Sequence, residues 1–115
     1  MKTRLPPSDE RLRRVWQLVK SVPAGKVVTY GDIARALGPP CTPRQVGWAL
    51  RKAPPRLRIP WHRVLGAQGR IALPGESGVT QRLKLQSEQV TFTGRRVRME
   101  LHHYGELRRS RKASS

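Results

Sequence analysis

The residues whose types could do chemistry stand together in one short run, Pro60-Trp61-His62-Arg63-Val64. The indole of Trp61 offers a large, flat, apolar face and one hydrogen-bond donor, and it lacks the nucleophilic character of a thiolate. The guanidinium of Arg63 could bind a phosphate or brace a pocket, and the sequence does not decide between these roles. The run therefore favours holding a flat ligand over making a bond to it.

A second group of such residues is spaced along a predicted helix. Arg44, Trp48 and Arg51 follow one another at intervals of four and three residues, which places them on one helix face. The opposite face carries an apolar stripe that consists of Val46, Ala49, Leu50 and Ala53. A helix that turns cations outward is typical of one that reads DNA. A purely structural helix with solvated arginines is the alternative.

The local signals that position this helix are strong. Thr42 is a predicted N-cap, Pro43 suits the first helical position, and Gln45 completes a capping box. The helix is expected to run to about Ala53, because Pro54-Pro55 cannot continue it.

A shorter helix precedes it. Thr29 is a predicted N-cap for a helix from Tyr30 to Leu37, and Gly38 ends that helix in the usual way. Two short helices joined by a Gly/Pro connector predict a helix-turn-helix.

Helices are also predicted near both ends of the chain. Ser8 can cap a first helix, whose apolar residues recur at helical spacing: Leu12, Val15, Trp16 and Val19. A loop over residues 74–78 should precede a last helix from Thr80 to Gln89. In that helix we expect Leu83 and either Leu85 or Gln86 to face inward.

The remaining segments predict short strands. An extended stretch from Arg56 to Pro60 leads to a small hairpin, in which residues 64–65 and 70–73 flank a glycine-containing turn. Alternating apolar residues over 96–101 predict a terminal strand. From His102 onward the chain is expected to fray. The adjacent His102 and His103 lack an organised set of metal ligands, so we expect them to be solvated.

The composition favours an anionic partner. The 115 residues include 24 Lys and Arg against 7 Asp and Glu, a formal net charge of +17. A field of this size attracts polyanions and speeds their association, so nucleic acid is the expected partner. An anionic membrane surface is the alternative, although no run of ~18 apolar residues could span a bilayer. The N-terminus has no apolar segment typical of a signal peptide, so we expect a cytoplasmic, nucleoid-associated protein.

The single cysteine limits the possible chemistry further. Cys41 excludes an internal disulfide and a cysteine-based zinc cluster, and no metal or cofactor is expected. It lies in the Pro-rich connector, twenty residues before Trp61, and we do not expect it to be a nucleophile.

Four blocks of the sequence resemble the O6-alkylguanine-DNA alkyltransferases, in the same order and with similar spacing. They are Val28–Ala34, Arg44–Ala49, Ile59–Val64 and the helix from Gln81 to Glu88. In those enzymes a cysteine that accepts the alkyl group stands between the proline and the histidine of the third block. Here that residue is Trp61. This pattern resembles the alkyltransferase-like proteins, which share the fold and carry tryptophan or alanine at this position.

The resemblance implies a fold class and a domain boundary. The expected fold is mainly α with a small β-hairpin, the helix-turn-helix, winged-helix-like C-terminal domain of DNA alkyltransferases. It should occupy residues 8–101, followed by a basic and disordered tail over residues 102–115.

The resemblance also implies how DNA is contacted. Arg44 corresponds to an arginine finger that occupies the space of a flipped nucleotide, a task that suits the planar, always charged guanidinium. Tyr30 corresponds to a tyrosine that crowds the phosphate 3′ of the target and promotes its rotation. Thr29 and Gln45 can bind phosphates near helix N-termini. The alternatives are a solvated arginine, a core tyrosine and simple helix caps. The predicted DNA-binding set is Thr29, Tyr30, Arg44, Gln45, Trp48 and Arg51.

A lesion pocket is implied beside this surface. Its predicted residues are Tyr30, Pro60, Trp61, Arg63 and Val64. Trp61 would pack against a flipped base or its alkyl group, the alternative being plain core packing. His62 and Glu88 correspond to a relay that activates the cysteine in the enzymes. Without a thiol they are expected to form a structural pair, and the chain is not expected to be an enzyme.

Three departures from the family pattern concern this region. Ala53 replaces a common asparagine, and Gln89 replaces a glycine at the end of the last helix. Pro74 stands where some alkyltransferase-like proteins carry an arginine near the damaged base. Whether Arg70 compensates stays open at this point.

The function implied by the resemblance is recognition of O6-alkylguanine in duplex DNA. The domain would enter the minor groove, flip the damaged guanine and hold it without removing the alkyl group. The persistent complex of a monomer would flag the lesion for nucleotide excision repair proteins. One alternative is a general helix-turn-helix DNA-binding or regulatory protein without lesion preference. Another is an enzyme that uses His62 and Glu88 for residual alkyl transfer or hydrolysis.

Overall fold

The computed structural model describes residues 9–107, which form a mainly helical domain with two small sheets. In chain order the elements are α1 (Asp9–Lys20), β1 (Val28–Thr29), α2 (Tyr30–Leu37), α3 (Pro43–Arg51), β2 (Val64–Leu65), α4 (Gly75–Ser87), β3 (Phe92–Thr93), β4 (Arg96–Val97) and α5 (Met99–His102). Single 3-10 turns lie at Pro55–Leu57, Trp61–Arg63 and Ala67–Gly69. The expected mainly α class with a small β-hairpin is therefore confirmed, and the predicted cap at Ser8 lies outside the described residues.

A parallel pairing of β1 with β2 places the two candidate regions side by side. Val28 lies opposite Val64, and Thr29 lies opposite Leu65. Because β1 runs directly into α2 and β2 directly follows the Trp61–Arg63 turn, the pairing holds the first residue of α2 near that turn.

The prediction of a hairpin over residues 64–73 is wrong. β2 pairs with β1, and residues 66–70 form a tight loop in which the Gly66 N–H donates to the Arg70 carbonyl at 2.8 Å. The hairpin of the fold is instead β3–β4, where Phe92 lies opposite Val97. The reason is burial: both residues of β2 lie in the core, which suits a strand covered on both faces.

Local capping determines where α2 and α3 begin. Thr29 and Thr42 each accept a hydrogen bond from the backbone N–H three residues on, and the side chain of that residue bonds back to the cap. Each helix starts at the predicted residue, and α3 ends at Arg51, slightly before the expected Ala53. The two helices pack against each other.

Helix α4 differs from the prediction in its start and in its buried face. It begins at Gly75, so most of the expected loop over residues 74–78 is helical. Its buried residues are Gly78, Gln81 and Leu85, whereas Leu83 is exposed. Gly78 explains this orientation, because a Cβ there would lie 2.3 Å from the Leu73 carbonyl oxygen. Only glycine permits this approach of the helix to the preceding chain.

The C-terminal segment also departs from the prediction. The expected strand over residues 96–101 ends at Val97 and gives way to α5. His102 Nδ1 lies 3.0 Å from the Gly25 carbonyl oxygen, and His103 Nε2 lies 2.8 Å from Asp32 Oδ2. These contacts correct the expectation that the chain frays at His102 with solvated histidines. The rest of the predicted tail, residues 108–115, lies outside the described residues.

Two clusters of buried side chains hold these elements together. The larger packs α1, α2 and α3 against one side of the parallel sheet, and the smaller joins the sheet to α4 and the β3–β4 hairpin. Within residues 9–107 no helix is both long enough and apolar enough to cross a bilayer.

Candidate functional site

A cavity of about 320 Å³ opens where the start of α2, the middle of α3 and the Trp61 turn meet. Tyr30 and Trp61 are its aromatic walls, and Arg51 supplies a cation. The remaining lining residues are Gly47, Leu50, Leu73 and Ser77. The volume lies at the small end of ligand pockets, and the mixture of aromatic walls with a few polar groups suits one flat heterocycle. We call this space the lesion cavity.

The structure separates the residues predicted for the pocket. Tyr30 and Trp61 line the lesion cavity together. Pro60 and Arg63 line a neighbouring cavity on the other side of Trp61. Val64 is completely buried in the core as part of β2, which corrects its assignment to the pocket.

Tyr30 is held by the capping box at the start of α2. The Asp32 N–H donates to Thr29 Oγ1 at 3.0 Å, and the Thr29 N–H donates to Asp32 Oδ2 at 3.0 Å. Burial raises the pKa of Tyr30, although the charge of Arg51 opposes the shift. The phenol therefore remains protonated at neutral pH and can donate a hydrogen bond to a ligand.

Asp32 connects this capping box to the C-terminal segment. Burial disfavours its charged form, but hydrogen bonds from the Thr29 N–H and from His103 hold the pKa of Asp32 below its ordinary value. Arg35 Nη2 lies 2.6 Å from the other carboxylate oxygen. Asp32 is thus ionised, and both of its carboxylate oxygens have hydrogen-bond partners.

The turn that carries Trp61 is held by a buried glutamine whose role no local sequence signal predicts. Gln81 is 1% exposed, and its amide nitrogen donates to the His62 carbonyl at 3.1 Å and to the Val64 carbonyl at 2.8 Å. Its Oε1 has no hydrogen-bond partner among the described residues. Because both donor hydrogens are used, Gln81 binds the backbone on either side of Arg63 to α4. Its proximity to the turn depends on how α4 packs, which no local signal indicates.

His62, Arg63 and Glu88 form one network. His62 Nε2 lies 2.9 Å from Glu88 Oε2, and Arg63 binds both carboxylate oxygens, at 2.6 and 3.0 Å. Arg63 also donates to the Val22 carbonyl at 2.8 Å, so in this structure its side chain braces the fold.

The charge states follow from these contacts. Burial opposes ionisation of Glu88, but the hydrogen bonds from Arg63, His62 and the Gly25 N–H lower its pKa to about 2. Burial lowers the pKa of His62 despite its bond to Glu88, and the charges of Arg63 and Lys84 add to the shift. At neutral pH the network is a carboxylate paired with an arginine beside a neutral imidazole. In this arrangement the neutral His62 ring can donate its Nε2 hydrogen to the Glu88 carboxylate, and the Arg63–Glu88 pair stabilises the turn.

The outer face of α3 presents the remaining predicted DNA contacts. Arg44 is exposed and forms no ion pair or side-chain hydrogen bond within residues 9–107. Trp48 is half-buried, with the ammonium of Lys52 5.1 Å from its ring centroid. Gln45 Oε1 accepts from the Thr42 N–H at 3.1 Å, which uses its carbonyl in the cap and leaves its amino group available.

Helix α3 is anchored from behind by a second residue whose role the sequence did not reveal. The indole Nε1 of Trp16 donates to the Ala49 carbonyl at 2.8 Å. The helical spacing of Trp16 with the other apolar residues of α1 predicted that its ring packs in the core. The partner of the indole N–H, however, depends on how α1 crosses α3.

Three other candidate residues lie away from the lesion cavity. Neither Pro74 nor Arg70 lines it. Burial raises the pKa of the Cys41 thiol, although the charge of Arg11 opposes the shift. The raised pKa disfavours the reactive thiolate. No group of three or more His, Cys, Asp or Glu residues in the described part of the chain is arranged to hold a metal ion.

Most of the described chain matches a known protein family. Residues 10–90 match the model of the 6-O-methylguanine DNA methyltransferase DNA-binding domain. A DNA base-flipping protein of Escherichia coli is 41% identical over 95 residues, which cover 76% of this chain and 74% of that protein. Alkyltransferase-like protein 1 of Schizosaccharomyces pombe is 42% identical over 81 residues, 70% of this chain and 75% of that protein.

Solved structures agree with these matches. The S. pombe Atl1 structure in complex with damaged DNA containing O6-carboxymethylguanine superposes with a TM-score of 0.67 and 38% identity, over 76% of this chain and 82% of that one. The Mycobacterium tuberculosis OGT structure in complex with DNA gives a TM-score of 0.63 and 32% identity, over 72% of this chain and 52% of that one.

Proposed function

Since this chain belongs to the family of the 6-O-methylguanine DNA methyltransferase DNA-binding domain, we propose that it recognises damage in DNA. It binds duplex DNA that contains an O6-alkylguanine and holds the flipped base in the lesion cavity without removing the alkyl group. The observation that carries this proposal is the position of Trp61, which is a wall of a base-sized cavity. In the alkyltransferases the corresponding residue is the cysteine that accepts the alkyl group.

The geometry supports binding without transfer. Trp61 has an aromatic face for the base and no nucleophilic atom. The nearby His62 and Glu88 are engaged with each other, and Arg63 occupies both oxygens of Glu88. The alkyl group therefore stays on the guanine, and the complex persists. On this proposal the chain is not an enzyme.

Base flipping is assigned to the two residues at the starts of α2 and α3. Tyr30 is rigidly capped and faces the lesion cavity, where it can crowd the backbone of the target nucleotide. Arg44 is exposed in the first turn of α3, and its guanidinium, unpaired within the described part of the chain, can fill the vacated space in the stack. Extrusion costs a few kcal/mol and least for a damaged or mispaired base, which contributes to lesion preference.

Affinity for the duplex comes mainly from charge. The formal net charge of +17 attracts the phosphate backbone, and Trp48, Arg51, Thr29 and Gln45 lie near the proposed groove side of α2 and α3. These residues would fix the register on the backbone but carry little sequence information.

The persistent complex is proposed to act as a flag. A bound monomer with an extruded base presents a distorted duplex that nucleotide excision repair proteins can engage. A protein with this role would be cytoplasmic and associated with the nucleoid.

Competition binding at physiological salt tests the proposal. Two duplexes would differ only in a single O6-methylguanine or guanine. We expect the lesion duplex to bind at least tenfold more tightly, about 1.4 kcal/mol. Equal affinities would instead favour the general DNA-binding or regulatory protein, which the charge and the exposed cations of α3 suit equally well. Mass spectrometry of protein and DNA after incubation should find the alkyl group still on the guanine.

A further inference from the structure

A second and larger cavity lies on the other side of Trp61. It has a volume of about 690 Å³ and shares two wall residues, Leu50 and Trp61, with the lesion cavity. We call it the far cavity. Because Trp61 and Leu50 line both spaces, the two cavities are direct neighbours.

The far cavity is strongly basic. Its lining includes four cationic side chains and no carboxylate: Lys20, Arg58, Arg63 and Lys84. Like charges that converge on a concave surface with low-dielectric walls focus a positive potential into it. An anionic group is the ligand that this potential favours.

Three of these cations are available to a ligand. Lys20 comes from the end of α1, Lys84 from α4, and Arg58 from the segment that leads to Pro60. All are exposed, and none forms an ion pair or a side-chain hydrogen bond within residues 9–107. Arg63 is not available in the same way, because its guanidinium is already bonded to both carboxylate oxygens of Glu88.

Glu88, the carboxylate that contacts His62 and Arg63 of the lining, does not neutralise the other three cations. Glu88 is paired with Arg63 and bonded to His62, so its charge is balanced locally. The positive charge of the other three side chains is left for a bound anion.

We propose that the far cavity reads the anionic end of an O6 substituent, so that the preferred lesions are O6-alkylguanines whose substituent ends in a carboxylate. This inference rests on the proposed function, because it requires the guanine to occupy the lesion cavity. The substituent would pass beside Trp61 and Leu50, and its carboxylate would pair with Lys20, Arg58 and Lys84.

Three lesions of graded chemistry test the proposal by competition binding at physiological salt. The duplexes are identical except for O6-methylguanine, O6-(2-hydroxyethyl)guanine or O6-carboxymethylguanine at one position. The last two substituents are similar in length and differ in charge. We expect the wild-type protein to bind the carboxymethyl duplex at least tenfold more tightly than the hydroxyethyl duplex, about 1.4 kcal/mol.

A double variant locates the effect. Lys20→Ala with Lys84→Ala should reduce the carboxymethyl preference to less than about threefold, while the ratio between O6-methylguanine and guanine stays at the wild-type value. Arg13→Ala with Lys26→Ala is the matched control. It removes the same charge at exposed positions that line neither cavity, and it should keep the preference.

The outcomes are distinguishable. Equal wild-type affinities for the carboxymethyl and hydroxyethyl duplexes would overturn the inference and leave the proposed function intact. Equal loss of affinity for all duplexes, including undamaged DNA, in the Lys20/Lys84 variant would overturn it too, because the cations would then hold a backbone phosphate. Absence of any preference for O6-methylguanine over guanine would overturn both proposals.

Discussion

Arg63 holds Glu88 by both carboxylate oxygens: Nη2 lies 2.6 Å from Oε2 and Nε lies 3.0 Å from Oε1. The third guanidinium nitrogen, Nη1, donates to the Val22 carbonyl at 2.8 Å. One side chain thus links the end of α4, the turn that carries Trp61 and the chain that follows α1. Charge-assisted, two-point pairs of this kind are stronger and more directional than a single hydrogen bond.

This pair predicts that stability falls in acid. The pKa of Glu88 is about 2 in the fold, against an ordinary value of 4.5, so the carboxylate stabilises the fold at and above about pH 5. That contribution is lost as the pH falls from 5 towards 2. It is on the order of 3 kcal/mol at neutral pH. Chemical denaturation of wild type and Glu88→Gln at pH 6, 4 and 3 measures it, because the difference between the two should shrink as the pH falls.

The matched control for that experiment is Glu76→Gln. Glu76 is exposed in the first turn of α4 and forms no ion pair with a described residue. Its substitution should leave the pH dependence close to that of wild type. If Glu88→Gln and wild type lose stability in parallel, the Arg63–Glu88 pair does not have the assigned energy.

Arg44→Ala should weaken binding to the O6-methylguanine duplex by at least about tenfold, with a smaller effect on undamaged DNA. The guanidinium has no ion-pair or hydrogen-bond partner among residues 9–107, and its proposed place is the space that the flipped guanine leaves in the stack. Fluorescence anisotropy with both duplexes measures the two effects. Arg13→Ala removes the same charge from α1 and should lower both affinities alike. Full lesion affinity of Arg44→Ala would exclude the arginine finger.

Gln81→Leu should destabilise the fold by ~2–4 kcal/mol, because the His62 and Val64 carbonyls lose their buried donor. Urea denaturation measures the change. Gln86→Leu alters an exposed position of the same helix and should shift stability by less than ~0.5 kcal/mol. Similar values for the two variants would mean that water replaces the Gln81 amide and that the turn does not depend on it.

Gly78→Ala should destabilise the fold by about 1–3 kcal/mol through overpacking. Its Cβ would lie 2.3 Å from the Leu73 carbonyl oxygen, so α4 or the chain before it must shift. Gly31→Ala, inside α2, is the comparison, since its Cβ would first meet the flexible end of Arg35 at 3.4 Å. That variant should be neutral or slightly stabilising, because alanine favours helix. Thermal unfolding of both variants decides whether the close approach at Gly78 is required.

Local sequence determined the parts of this protein whose interactions span few residues. The capping boxes at Thr29 and Thr42 join atoms three residues apart, so the starts of α2 and α3 could be predicted. The charge of +17 and the run around Trp61 likewise indicated a DNA-binding domain that holds a flat ligand and has tryptophan, not cysteine, at position 61.

Only the tertiary structure decided what depends on distant partners. Burial of Val64 determines that β2 pairs with β1 and forms no hairpin, and the Gly78 contact turns Gln81 towards the Trp61 turn. Contacts across more than 70 residues tie His102 to Gly25 and His103 to Asp32. The two cavities on either side of Trp61 exist for the same reason, because their walls come from elements that meet only when the core packs. Periodicity and capping describe each element alone, whereas the free energy of burial acts on all of them together.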